Sequence, residues 1–354
     1  MEIVCNLCLQ PTYMVSIFWK DTVTPIKKIQ ILCVYIICFI FTGKLTAQSN
    51  AGITGQQDTS YTNYSAYQST RKTHPAIKLV AELKTEAVAE ERNINYTTVA
   101  NLNLLIDAFY PKVKSKHKNT AIIIIHGGGW RSGNRTQHYP LAQKLAQLGY
   151  ACFTPQYRLS TEALFPAAVY DLKQAVRWVR KNAAIYNIDT SRIVAMGFSA
   201  GGELAAFMGV TGNLPLFEGT NASSAIATNI NAVVDMDGIL SFVHPESGEG
   251  DDSKRTSAAT YWFGYPRKDH EKIWEAASSL SYVGTSTPPT LFINSSVDRM
   301  HAGREDYIKA LHQYHTYTEV HSFEGAPHAF CLFDPWFEPT VKYIDGFLKK
   351  IFSE

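Results

Sequence analysis

The sequence predicts an α/β fold built on a mostly parallel, doubly wound sheet. Two observations lead there. Short aliphatic runs alternate with amphipathic helical patterns along most of the chain, and each intervening segment is long enough to carry a crossover helix. Glycine clusters also sit directly after two of the aliphatic runs, where turns off strand ends belong. At 354 residues the chain allows two domains of about 150 residues, or one large domain with extensions. Apolar residues form 45% and charged residues 18% of it, which excludes a disordered polymer. The formal net charge of +2 provides no basic field for tracking phosphates, so nucleic acid is not an expected partner. No internal repeat is visible.

The elements follow in order. Lys27 and Lys28 precede an apolar run from Ile29 to Phe41, and Thr42 to Gln48 follow. A basic start, a short apolar stretch and a small residue before the cut read as a signal for secretion or periplasmic export. The run is shorter than the roughly 20 residues of a bilayer span. Cleavage is expected near Ala47, with a retained anchor as the alternative and no stable membrane span after cleavage. Residues 1–26 are long for such a signal and fit a start codon assigned too far upstream. Cys38 follows Ile36-Ile37 rather than a small residue, which disfavours lipidation. Residues 48–96 are expected to be a polar spacer and extension, and 97–354 the folded domain.

Within that domain Val99–Ala108 alternates like a half-buried strand, and Ala121–Ile125 is aliphatic throughout, like a strand covered on both faces. Helices are expected over Gln137–Leu148, Pro166–Ala184, Ala200–Met208, Gly303–Tyr314 and Phe337–Ile351. Strands are expected over Ala151–Thr154, Arg192–Met196, Ala232–Met236, Thr290–Ile293 and Glu319–Phe323. Residues 237–289 read as a lid-like insertion carrying Phe242, Tyr261, Trp262, Phe263, Tyr265 and Trp274, which are either sugar-facing or local core. Cys5 and Cys8 have CxxC spacing without a second pair, so neither a metal nor a redox site is expected. Cys152 and Cys331 either pair or remain buried thiols. No cofactor is implied.

Gly197-Phe198-Ser199-Ala200-Gly201 follows a strand and opens a helix, the setting in which a serine hydroxyl is raised as a nucleophile. His126-Gly127-Gly128-Gly129-Trp130 leaves another strand end. Its glycines let the Gly128 and Gly129 N–H groups, with that of Ala200, face a tetrahedral oxyanion. A serine needs a base, and the base an orienting acid. His328, in the loop after the last core strand, has the right order for the base. Asp298, in the loop after Thr290–Ile293, is the first choice for the acid, with Asp235 and Asp237 as fallbacks. His126 is assigned to shaping the loop.

Together with Tyr157-Arg158-Leu159, Phe165-Pro166-Ala167-Ala168 and the Pro327-His328 loop, these motifs resemble the α/β-hydrolase superfamily of serine esterases. The resemblance is to its hormone-sensitive-lipase-like members and to bacterial feruloyl and acetylxylan esterases, over residues 97–352. It implies an eight-stranded sheet and the triad Ser199, Asp298 and His328. The segment Pro335–Thr340 looks like exported polysaccharide esterases. The implied activity is that of a secreted carboxylesterase removing acetyl groups from xylan or pectin through an acyl-enzyme on Ser199. Pectin methylesterase and feruloyl esterase are the near alternatives. A prolyl-oligopeptidase-type peptidase and a non-catalytic carbohydrate-binding protein are the distant ones. Trp130 and Trp336, with Phe337, are expected near the mouth of the site. Arg299 and His301 are placed to meet either a uronate carboxylate or a structural acid.

Overall fold

The computed structural model describes residues 52–212, 214–221 and 224–352. The signal expected over 1–47 lies outside them. Eight strands form one sheet: β1 (Val88–Val99), β2 (Leu102–Pro111), β3 (Asn119–Ile125), β4 (Ala151–Pro155), β5 (Ile188–Phe198), β6 (Ala232–Met236), β7 (Thr290–Asn294) and β8 (Thr318–Ser322). Their spatial order is β1-β2-β4-β3-β5-β6-β7-β8. Only β2 runs against its neighbours, and every pairing from β4 to β8 is parallel.

Alternation along the central strands sends successive side chains into two separate cores. Ile122 and Ile124 of β3 enter one with α2 (Tyr139–Gln147) and α8 (Phe337–Phe352). Ile123 and Ile125 enter the other with α3 (Ala167–Lys181) and α4 (Ala200–Val210). Helices on both faces explain why β3 is buried along its whole aliphatic run.

The N-terminal boundary differs from expectation. Residues 52–96, read as a spacer and extension, contain α1 (Asn63–Thr70), started by a Thr62–Ser65 capping box, and most of β1. The expected strand from Val99 is the second arm of a hairpin, turned at Ala100 and Asn101 with φ of 47° and 68°. Sequence patterning missed β1 because it is a polar edge strand with two register shifts, between Glu91 and Ile94 and between Asn95 and Thr97, and these break the alternation.

Residues 237–289 hold two short helices, α5 (Ala258–Phe263) and α6 (Glu271–Ala276). Their large rings form local core. Phe242, Trp262, Phe263 and Trp274 are fully buried, and Trp262 stacks on Trp130 with centroids 5.0 Å apart. α7 (Arg304–Gln313) follows β7. A two-residue ladder pairs Lys78–Leu79 with Phe333–Asp334, tying the N-terminal segment to the chain just beyond His328.

Candidate active site

At the end of β5 the chain turns so sharply that side chains are excluded. A Cβ on Gly197 would lie 2.0 Å from the Gly201 carbonyl oxygen, and one on Gly201 would lie 2.1 Å from that of Ile125. Ser199 takes φ 57° and ψ −122°, a strained backbone that lifts its hydroxyl off the sheet. Its N–H donates to the Met236 carbonyl at 2.8 Å, which fixes the turn to the end of β6.

Asp237, also at positive φ, follows β6 directly. Its Oδ2 accepts from His328 Nδ1 at 2.9 Å, and His328 Nε2 lies 2.9 Å from Ser199 Oγ. With Nδ1 donating to the carboxylate, Nε2 is left to accept the serine proton. The Asp237 carboxylate is fully buried and is held by the Ser295 N–H at 2.8 Å, the Ser295 hydroxyl and the Asn294 amide. The relay is continuous from acid to hydroxyl.

The structure therefore corrects the expected acid. Asp298 lies in a one-turn 3₁₀ segment, its side chain is fully exposed, and its carboxylate stands 4.0 Å from His301 rather than against His328. The loop after β7 does serve the acid, but through Ser295 and Asn294, which donate to the carboxylate arriving from β6. Asp235, the other fallback, is buried and accepts from the Gly238 N–H at 2.7 Å, and the acid that contacts His328 is Asp237.

The glycine loop faces the same cleft. Gly128, Gly129 and Ala200 line it with Ser199 and His328 around a volume of about 730 Å³, within the range of small-molecule sites. Gly128 has φ 128°, and a Cβ there would lie 1.9 Å from the Ser132 carbonyl oxygen. Among the described residues, the Gly128 and Gly129 N–H groups donate to no backbone carbonyl. Supports fix the loop from several sides. Tyr157 stacks on His126 at 4.4 Å and donates to its carbonyl at 2.8 Å. Gln137 accepts from the Gly127 N–H at 2.7 Å, while its own carbonyl accepts from Asn63 of α1. Trp130 donates its indole N–H to Glu203 of α4 at 2.9 Å.

Burial dominates the electrostatics behind the cleft. It pushes His126 down to about 4 and His138 down to about 3, so both imidazoles are neutral near pH 7. It also raises the Glu203 and Asp235 carboxyls well above the usual range.

The remaining expected contacts divide. Trp130 and Arg299 line the cleft, although the Trp130 ring is mostly engaged with Trp262 and Glu203. His301 is half-buried outside the cleft lining, beside Asp298. Trp336 packs edge-on against His74 at 6.2 Å, and Phe337 is buried on the core face of α8. Neither of these two faces the cleft. Two cleft arginines, Arg131 and Arg255, were not singled out from the sequence. Arg131 follows the glycine loop within two residues of Gly129, and that proximity was the available signal.

Solved structures resemble this chain over most of its length. A truncated carbohydrate esterase from gut microbiota matches with TM-score 0.62 and 25% identity, covering 77% of this chain and all of that one. The Est2 esterase of Thermogutta terrifontis with propionate bound matches with TM-score 0.60 and 26% identity, covering 75% of this chain and 95% of that one. Among curated relatives, esterase LipQ of Mycobacterium tuberculosis is 28% identical over 213 residues, 60% of this chain and 50% of its own. Carboxylesterase NlhH of the same species is 35% identical over 133 residues, 37% of this chain and 41% of its own. The chain spans about half the length of the curated relatives it matches. The BD-FAE family model matches residues 106–303, more than half of the chain and a span that includes Ser199, Asp237 and the glycine loop. The chain belongs to the BD-FAE family, and its fold is that of the α/β-hydrolase esterases.

Proposed function

We propose that this protein hydrolyses carboxylic esters through an acyl-enzyme on Ser199. The observation that carries the proposal is the unbroken hydrogen-bond relay from Asp237 through His328 to Ser199, with 2.9 Å at each His328 contact. Ser199 Oγ attacks the ester carbonyl while His328 Nε2 takes its proton. The buried Asp237 carboxylate stabilises the imidazolium that forms. Negative charge gathers on the former carbonyl oxygen, where the N–H groups of Gly128, Gly129 and Ala200 receive it. Collapse expels the alcohol, which takes the proton from His328. A water then repeats the sequence against the acyl-enzyme and frees the acid.

The substrate in this proposal is an acylated plant polysaccharide or its fragments, with acetyl groups on xylan or pectin as first choice. Likeness to a gut carbohydrate esterase supports it, as does the reading of residues 27–47 as a signal that exports the chain. Among the described residues no helix is long and apolar enough to cross a membrane. Incubation with acetylated xylan, acetylated pectin and methylated pectin, with acetate and methanol assayed separately, identifies the ester. Ser199→Ala is expected to lower hydrolysis of a small aryl acetate by about 10⁴-fold or more and to abolish fluorophosphonate labelling. Undiminished turnover in that variant would refute the mechanism.

A further inference from the structure

We infer that the cleft selects esters carried on or beside a uronic acid, whose carboxylate is taken by the guanidinium groups of Arg131, Arg255 and Arg299. The inference rests on the esterase reading and narrows its substrate class. All three arginines line the cleft that holds Ser199 and His328. Five arginines elsewhere, Arg92, Arg135, Arg158, Arg177 and Arg304, each pair with a carboxylate, and Arg180 donates to the Thr190 and Asn229 carbonyls. Among the described residues, no ion pair or side-chain hydrogen bond engages the three at the cleft.

The cleft also holds carboxylates, but each accepts from protein donors. Asp237 takes His328 and Ser295. Glu249 accepts from the Ala259 N–H at 3.1 Å, and Asp251 from the Ser253 N–H at 3.2 Å. Asp298 is adjacent to Arg299 in sequence, yet among the described residues the two form no ion pair, and the Asp298 carboxylate stands 4.0 Å from the His301 imidazole. The site is thus supplied with guanidinium donors that lack acceptors.

Arg131 is the most constrained of the three. Its guanidinium carbon lies 4.1 Å from the ring centroid of Tyr261, and its Nη1 is buried without a hydrogen-bond partner. Stacking on an aromatic face pre-orients the guanidinium plane. Arg131 lines the same cleft as Gly129 and Ser199, so a carboxylate that it holds shares that cleft with the reacting ester. Arg255 and Arg299 are exposed at the mouth, where they can meet neighbouring residues of an acidic chain. Planar, bidentate pairing makes a carboxylate the natural complement of such groups.

The carboxylate could come from a galacturonan backbone or from the glucuronate branches of xylan, so both are tested. kcat/KM for acetate release is compared for acetylated oligogalacturonides, acetylated glucuronoxylan oligosaccharides and acetylated neutral xylo-oligosaccharides. The acidic substrates are expected to be preferred about tenfold or more at low salt, with the preference shrinking as NaCl rises to about 500 mM. Arg131→Gln, Arg255→Gln and Arg299→Gln should each reduce the acidic-to-neutral ratio, chiefly through KM. Arg255 and Arg299 are exposed, and fluorophosphonate labelling reports that each variant has folded. Calorimetry of Ser199→Ala with unacetylated oligogalacturonide and with xylotetraose reads recognition apart from turnover. Equal use of acidic and neutral substrates, or a ratio untouched by the three variants, overturns the inference and leaves the esterase intact. Uronate binding without labelling or acetate release refutes the esterase, and with it the selection of esters, and leaves only carboxylate recognition by the arginines.

Discussion

Asp237 and Asp298 leave adjacent strands, and only one of them is built into the interior. Asp237 has its carboxylate enclosed by two Ser295 donors, the Asn294 amide and His328. Asp237→Asn is therefore expected to lower kcat by about 10⁴-fold, because an amide reverses the donor pattern that fixes the His328 tautomer. Asp298→Asn should leave aryl-acetate hydrolysis within about twofold, since a fully exposed side chain contributes little. The reverse ranking in steady-state kinetics would restore Asp298. Ser199 and His328 were legible in the sequence because the glycine-flanked turn and the loop after the last strand each admit a single candidate. The acid was not legible. Loops after β6 and β7 both carry aspartates, and the choice depends on Ser295 and Asn294 turning their donors inward, which only the folded chain displays.

The elements that carry the site were easier to read than those that brace it. β6 has the expected limits, and the central strands and long helices lie within a few residues of theirs, because continuous burial writes itself as aliphatic runs. Part of the bracing came from segments less plainly written: polar α1, and Gln137, expected to open a helix but held in a 3₁₀ turn over Arg135–His138. One brace can be tested directly. Trp130 and Glu203 join the glycine loop to α4 by a buried hydrogen bond of 2.9 Å, and Trp130 holds φ 54°. Trp130→Phe keeps a ring against Trp262 but removes the donor from a buried carboxyl. It should destabilise the protein by about 1–3 kcal/mol in urea unfolding. It should also lower kcat more than it raises KM, because the loop is required in the transition state. Glu203→Gln, which retains an acceptor, should largely preserve kcat. Equal losses in both variants would contradict a positioning role.

For the molecule as a whole, buried titratable groups set the dependence of stability on pH. His126 and His138, held down to about 4 and about 3, stay neutral in the fold while the unfolded chain protonates them below about pH 6.5. Each thus removes about 1.4 kcal/mol of stability per pH unit on acidification through that range. Glu203 and Asp235 act in the opposite sense. Their carboxyls remain protonated in the fold well above the usual range, so stability falls as pH rises from about 4.5 toward their folded values. The buried imidazoles and carboxyls thus pull stability in opposite directions between about pH 4.5 and 6.5. Asp235→Asn removes one carboxyl from that opposition, so its unfolding free energy should rise more steeply than the parent's as pH increases through this window. An identical pH dependence in parent and variant would contradict a carboxyl held protonated in the fold. Cys152 and Cys331 lie buried and unlinked on the face packed by α2 and α8, with burial raising both thiols. The described residues thus reach their folded form without a disulfide. Dithiothreitol should leave its melting temperature unmoved, and iodoacetamide should alkylate those two sulfurs only once the chain has been opened.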